Sequence, residues 1–213
     1  MLIPFRNIKE KYNINTRGVI HVGGHWGEEA KDYKDNGVEK TIWIEADKNS
    51  VEIMKDNLKS IYSENDTSFI INACVGDEDG KKVIFNISNN EGQSSSILDL
   101  EYHKIAHNDV HYIDKMQMVT YTLDTLLKDI KDIKDYTFLN ADIQGAELLM
   151  LKGAKKIIPN LQCLYIEVNE KELYKDCALI GEIDEFLKPH GFDRVETEWC
   201  GNFGWGDAIY LKK

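Results

Sequence analysis

Apolar residues in this chain cluster in short runs, with stretches of helical spacing between them. Apolar runs of four to eight residues bounded by turn residues read as buried strands, and 3.6-residue spacing reads as helix. Residues 18–23 (GVIHVG) give a first strand, with a helix from Glu28 to Asn36 ended by Gly37. Residues 40–47 (KTIWIEAD) give a second strand, and Asn49 or Ser50 caps the next helix, which runs to about Leu58. A third strand is expected over residues 68–76 (SFIINACVG), closed by the turn-rich GDEDGKK. A short strand (KVIFNIS) and a polar loop at residues 89–96 (NNEGQSSS) follow. MQMVTYTLDTLL then holds a strand and a short helix capped by Thr122 or Asp124.

Strand and helix alternate again after that. Residues 136–144 read as a strand, 146–158 as a helix stopped by Pro159, and 162–169 as a strand. A helix covers residues 180–188, and FDRVETEW and GDAIYLKK form a hairpin-like pair across CGNFGWG. The alternation predicts an α/β fold, a mostly parallel sheet with helices on both faces and an antiparallel C-terminal strand. The expected organisation is a single domain over residues 1–213. Residues from about 83 to 119 break the alternation and read as an insertion over the strand ends, where such folds place ligands.

The net charge of -11 narrows the function, because a phosphate-backbone binder needs a cationic face. No nucleic-acid partner is therefore expected. No apolar run approaches the roughly 20 residues of a spanning helix, so no membrane insertion is expected. The N-terminal MLIPFRNIKEKY lacks a leader pattern, and the four cysteines show no zinc spacing. A cytoplasmic protein with reduced cysteines is the expectation.

Candidate chemistry begins at the first strand end. Gly23, Gly24 and Gly27 open the first helix as G-G-x-x-G, where backbone can approach a ligand closely. Glu45 ends the second strand and is placed to accept both hydroxyls of a ribose. Glu28 and Glu29 at the helix entrance suit the helix dipole but would repel a pyrophosphate. A cationic, phosphate-free cofactor such as S-adenosylmethionine fits this turn better than a dinucleotide.

Five segments, VIHVGGHWGEE, IWIEAD, SSSIL, TLDTLL and DIQGAELLMLKGA, occur in this order. Together with LYIEVNEKELY and GWGDAIYLKK they resemble the FkbM-type methyltransferase family, from about Gly18 to the end of the chain. The resemblance implies a Rossmann-like class I methyltransferase fold and S-adenosyl-L-methionine as cofactor. It also implies O-methylation of sugars or secondary metabolites, so the expected acceptor is a small molecule or glycan precursor. Gly23, Gly24, His25 and Gly27 are expected to line the cofactor, with Cys74 or Val75 beside the adenine. Two positions depart from the family pattern. His21 stands where an acidic residue is common, and Gln144 stands where D-x-E-G is common.

Methyl transfer to a hydroxyl needs alignment, exclusion of water and a base. Asp142, at a core strand end, is the first candidate, as base or methionine-side contact; a helix N-cap is its structural alternative. Gln144 is counted with it among the cofactor contacts. Glu167 is the second candidate, and Glu147 reads as a dipole partner. His103, His107 and His111 are four apart, so one helical face could carry all three, although HNDVHYID is a poor helix former; His107 is the candidate catalytic member and His111 a substrate contact. No metal ligand is assigned. Ser94, Ser95 and Ser96 are candidate sugar contacts, and Trp205 a stacking surface. Two other readings remain open at this point, a nucleotide-dependent oxidoreductase and a catalytically silent methyltransferase-like binding protein.

Overall fold

The computed structural model describes residues 1–63 and 67–213. Its strands are β1 (Gly18–Val22), β2 (Lys40–Glu45), β3 (Thr67–Asn72), β4 (Cys74–Val75), β5 (Lys82–Ser88), β6 (Tyr112–Tyr121), β7 (Tyr136–Ala141), β8 (Cys163–Asn169), β9 (Phe192–Trp199) and β10 (Trp205–Lys212). Its helices are α1 (Phe5–Tyr12), α2 (Ala30–Asp35), α3 (Lys48–Ile61), α4 (His103–Ala106), α5 (Leu123–Leu126), α6 (Glu147–Lys152) and α7 (Ile180–Leu187). The main sheet runs β3-β2-β1-β7-β8-β10-β9. The first five strands are parallel, and β10 is antiparallel to both β8 and β9. The order reverses between β1 and β7, which opens a crevice at the strand C-termini.

Two-residue alternation sends each strand's side chains to two cores. Ile20 and Val22 of β1 join one core with Leu123, Met150, Leu151, Ile183 and Leu187 from α5 to α7. Val19 joins the other with Phe5, Ile8, Tyr33, Trp43 and Met54 from α1 to α3 and β2. Fully burying an aliphatic or aromatic side chain contributes about 1.5–3 kcal/mol, so both faces must be covered for the strands to be stable. Helix α1 was not anticipated from the sequence. Phe5 anchors it, edge-on to Tyr33 at 5.0 Å and to Phe138 at 5.1 Å.

Four local expectations are corrected. The third strand does not run through residue 76. Ala73 N–H donates to the Glu45 carbonyl, the chain bends there, and Cys74–Val75 pair with Thr120–Tyr121 in a separate sheet of order β4-β6-β5. The cap of α3 is Asp47, whose carboxylate accepts from Asn49 and Ser50 N–H. The first helix is shorter than Glu28–Asn36, because residues 27–29 form the turn that precedes Ala30. Helix α6 stops at Lys152, not at Pro159. A Cβ on Gly153 would lie 2.3 Å from the Gly76 carbonyl oxygen, so the chain passes close to another backbone there and turns away. Of the two caps expected for α5, Thr122 fills the role, accepting from Thr125 N–H.

Candidate active site

At the C-terminal ends of the central strands lies a cavity of about 500 Å³. Pairing fixes its floor. Trp43, His21, Asn140 and Tyr165 stand side by side on β2, β1, β7 and β8. Two residues further along each strand, on the same face, come Glu45, Gly23, Asp142 and Glu167, with Asp207 of β10 directly opposite Glu167. The chain therefore presents a row of carboxyls, one per strand, interrupted at Gly23.

His21 belongs to the layer beneath. It is buried, stacks on Trp43 at 4.7 Å, and its Nδ1 lies 3.2 Å from the Tyr33 hydroxyl. Burial pushes its imidazole pKa down, so the ring sits there neutral.

Gly23 makes the gap in the row. Its φ is +80°, and a Cβ there would fall 1.7 Å from the Asp142 carbonyl oxygen. Glycine is needed here because the chain leaving β7 passes so close, and the exposed backbone turn it permits lines the cavity. Gly24 follows with its space filled by Met54 and Trp43. Glu45 closes the cradle, accepting from His25 N–H at 2.9 Å and Asp47 N–H at 2.8 Å. Burial raises its pKa, against the pull of those two N–H groups. Glu45→Ala removes this brace and is expected to weaken cofactor binding by about 1–3 kcal/mol, read by calorimetry with S-adenosylhomocysteine. Unchanged affinity in a folded variant would sink the ribose assignment.

His25, with φ at +43°, ties the turn to the polar loop. Its Nδ1 lies 2.7 Å from Glu28 Oε1 and its Nε2 3.0 Å from the Glu91 carbonyl. Both partners are acceptors, so both ring nitrogens must carry hydrogen to satisfy them. Burial opposes that charge, but the bonds to Glu28 and Glu91 outweigh it, and the pKa is raised. A folded pKa above the unfolded value of 6.5 stabilises the clasp fully below about pH 6.5 and loses it as pH rises through the folded value. Imidazole NMR titration should place His25 above 6.5, and Glu28→Gln should bring it down. A wild-type value at or below 6.5 refutes the clasp.

Gln144 is the hub of the far wall. Its Nε2 donates to Asp142 Oδ1 at 2.5 Å and to Glu167 Oε2 at 2.8 Å, and its Oε1 accepts from the Tyr174 hydroxyl. Ser96 Oγ donates to the Gln144 carbonyl at 2.7 Å. These bonds hold a non-glycine residue at φ +56°, which otherwise costs about 1–2 kcal/mol. Glu167 is 4% exposed, and burial with the Asp142 and Glu147 charges pushes its pKa well up. Asp142 is exposed to the cavity.

Asp142 does not cap α6. Ala146 holds that position, while the buried Glu147 carboxyl accepts from Ile143 and Gly145 N–H. Glu147 stands in the first turn of α6, as expected of a dipole partner, and burial raises its pKa to about 7.

Of the expected cofactor residues, Gly23, Gly24, His25, Glu45, Cys74, Val75, Asp142 and Gln144 line the cavity. Gly27 lies behind it, against Leu58 and Met54. Ser94, Ser95, His107, Glu167 and Trp205 line it too. Ser96 does not, being the strut on Gln144. His111 falls in a separate shallow pocket, because α4 ends at Ala106 and the three histidines share no helical face. Trp205 Nε1 donates to His107 Nε2 at 3.3 Å. Among the described residues no three His, Cys, Asp or Glu side chains form a metal-binding group. His103, one of the three spaced histidines, lines the cavity as well, whereas Tyr165, Leu173 and Asp207 were not anticipated. For Asp207 the signal was present in the alternation of β10, one face of which carries Trp205 and Asp207.

The model of the methyltransferase FkbM domain matches residues 21–194. The chain belongs to the FkbM methyltransferase family. No curated protein matches it. Among solved structures, this chain is similar to M. capricolum TrmK with S-adenosylhomocysteine, at 9% identity and TM-score 0.57, covering 100% of this chain and 70% of that one. It is similar to magnesium protoporphyrin IX methyltransferase (ChlM) from Synechocystis PCC 6803 with bound SAM, at 8% identity and TM-score 0.54, covering 98% and 76%. It is also similar to ribosomal protein L11 methylase from Lactobacillus delbrueckii subsp. bulgaricus, at 14% identity and TM-score 0.52, covering 96% and 74%. These likenesses show the class I methyltransferase fold. The cofactor of the FkbM domain is S-adenosylmethionine. The residues fit it: a glycine cradle, a carboxylate at the β2 end, apolar Ala73 and Val75, and no Lys or Arg side chain on the wall to meet a pyrophosphate. Among the described residues no helix is long and apolar enough to cross a membrane.

Proposed function

We propose that this chain transfers a methyl group from S-adenosylmethionine to a hydroxyl oxygen of a sugar, in a glycan or secondary-metabolite precursor. One observation carries the reading: Asp142 faces the cavity beside a Glu167 carboxyl that burial and Asp142 itself hold toward the protonated form. A carboxyl open to the cavity, next to one that burial keeps from ionising, suits a reaction in which a proton must be accepted. Bound at the glycine turn, S-adenosylmethionine supplies an activated methyl carbon. Asp142 takes the acceptor's hydroxyl proton as the oxygen–carbon bond forms, Gln144 fixes Asp142, and His107 with Trp205 gives the acceptor a flat polar wall. Ser94 and Ser95 contribute polar atoms from the loop that His25 clasps.

On this reading residues 1–213 form one methyltransferase domain, and residues 83–119 build the acceptor side. The acidic wall and the net charge of -11 support a small-molecule rather than a nucleic-acid acceptor. Four free cysteines suit a cytoplasmic setting. The family match decides against the oxidoreductase alternative. Both departures from the family pattern have structural roles, His21 in the layer beneath and Gln144 between two carboxyls, so neither argues for a silent site.

The experiment is methyl transfer from isotopically labelled S-adenosylmethionine to a panel of free and glycosidically linked sugars, with the methylated atom located by NMR. Label on a sugar oxygen supports the reading. Label found only on nitrogen or carbon overturns it.

A further inference from the structure

Among the described residues the cavity wall carries six acidic side chains, Glu28, Glu29, Glu45, Asp142, Glu167 and Asp207, and no Lys or Arg side chain. Three are accounted for. Glu28 pairs with His25, Glu29 with the Met1 amino group at 3.4 Å, and Glu45 with two backbone N–H groups. The other three stand on adjacent strands β7, β8 and β10. No ion pair reaches them among the described residues. Asp142 and Glu167 share one neutral amide. Asp207, 5% exposed, accepts from Leu2 N–H and the Tyr165 hydroxyl, both on Oδ2. Neighbouring strands are about 4.8 Å apart, so the three carboxyls lie within reach of one small molecule. Like charges gathered in a partly buried site repel, and a cation among them relieves that repulsion. A phosphate brought to the same wall adds to it.

A second feature lies on the same cavity wall. His103 is 4% exposed, lines the same cavity, and has no partner at Nδ1 among the described residues. Its ring packs on Tyr174 at 5.4 Å, and the Tyr174 hydroxyl reaches Gln144, the amide between Asp142 and Glu167. Burial, with the neighbouring His107, lowers its pKa to about 4. The ring is therefore neutral and offers hydrogen bonding without a competing positive charge. A buried ring nitrogen left unpaired is costly unless a ligand fills it.

We infer that the acceptor carries a protonated amine and no phosphate. It is an amino sugar or amino alcohol whose ammonium is held by Asp207, beside the uncharged Glu167 carboxyl, with His103 Nδ1 as a further polar contact. The hydroxyl to be methylated then lies on a neighbouring carbon, facing Asp142. This rests on the reading of the site as an O-methyltransferase, but the charge argument concerns binding and is tested separately.

The test is titration of the protein saturated with S-adenosylhomocysteine, at pH 7 and constant ionic strength, followed by calorimetry and saturation-transfer NMR. The probes are 2-aminoethanol, D-glucosamine and D-galactosamine, each beside its hydroxyl counterpart ethylene glycol, D-glucose or D-galactose, with D-glucose 6-phosphate as the anion. Each amine should bind roughly tenfold to a hundredfold more tightly than its counterpart, the range for a charge-assisted hydrogen bond. The phosphate should show no binding. Asp207→Asn should narrow the gap, whereas Glu167→Gln, isosteric with the protonated acid, should leave most of it. The inference is overturned if amine and hydroxyl probes bind alike, if no amine binds, or if the amines compete with S-adenosylhomocysteine instead of adding to it. Amine binding followed by methylation on nitrogen leaves the inference standing and defeats the O-methyl reading. Oxygen methylation of neutral sugars with no amine advantage does the reverse.

Discussion

Turnover of Asp142→Asn, measured at matched cofactor saturation, is expected to fall by about 10²–10⁴-fold. The variant is a clean one. Asparagine keeps the shape and keeps an oxygen to accept the Gln144 amide hydrogen. It cannot take a proton. Loss of a cap is not a competing explanation, since Ala146 occupies that position and Glu147 meets the Ile143 and Gly145 N–H groups. Removing the Asp142 charge should also lower the Glu167 pKa, because that charge is one of the causes holding it up. S-adenosylhomocysteine affinity should stay within a few-fold of wild type. A near-normal rate would pass the role of base to Glu167 or His107.

Gly23→Ala should be the most damaging single-methyl change in the turn. The new Cβ would sit 1.7 Å from the Asp142 carbonyl oxygen. That strand end cannot retreat freely, because Asp142 N–H donates to the Val22 carbonyl at 3.0 Å and locks β7 to β1. The positive φ adds about 1–2 kcal/mol for any side chain. Together the expected loss is about 4 kcal/mol or more, the range of backbone clashes at special positions. Gly80→Ala is the matched control. Its φ is +79° but nothing lies within 4 Å of its Cβ, so it should cost only the strain. Urea denaturation of the two variants gives the comparison, and equal midpoints would refute the clash.

Much of the fold was legible because burial on both faces turns each central strand into a short, mostly apolar run that the sequence carries directly. Strands β1, β2, β7 and β8 show it as continuous apolar runs, as strands covered on both faces must. The glycine turn and Glu45 were legible for a similar reason, each being dictated by its own strand end. What escaped was set by contacts far along the chain. The break after Asn72 depends on Ala73 reaching the Glu45 carbonyl and on Cys74 finding Thr120, and no local pattern encodes either. Histidine spacing suggested a helical face, but α4 closes after one turn and separates His103 from His111. Asp207 belongs to the site only because β10 slots in against β8, opposite Glu167. Ser96 shows the converse: a residue in the right loop whose hydroxyl is spent inward on Gln144.

The insertion of β10 beside β8 has a kinetic consequence. Asp207 receives the Leu2 N–H across a separation of 205 residues, and the Tyr165 hydroxyl receives Ile3 N–H across 162. Contacts of such sequence separation bear the largest loop-closure cost and form slowly. The glycine turn, by contrast, closes on Glu45 through a contact only 20 residues long. During refolding the cofactor half of the cavity can therefore assemble early from β1, β2 and their helices, while the acceptor half waits for the two distant segments to meet. A chain arrested between those events is expected to hold nucleoside without discriminating acceptors.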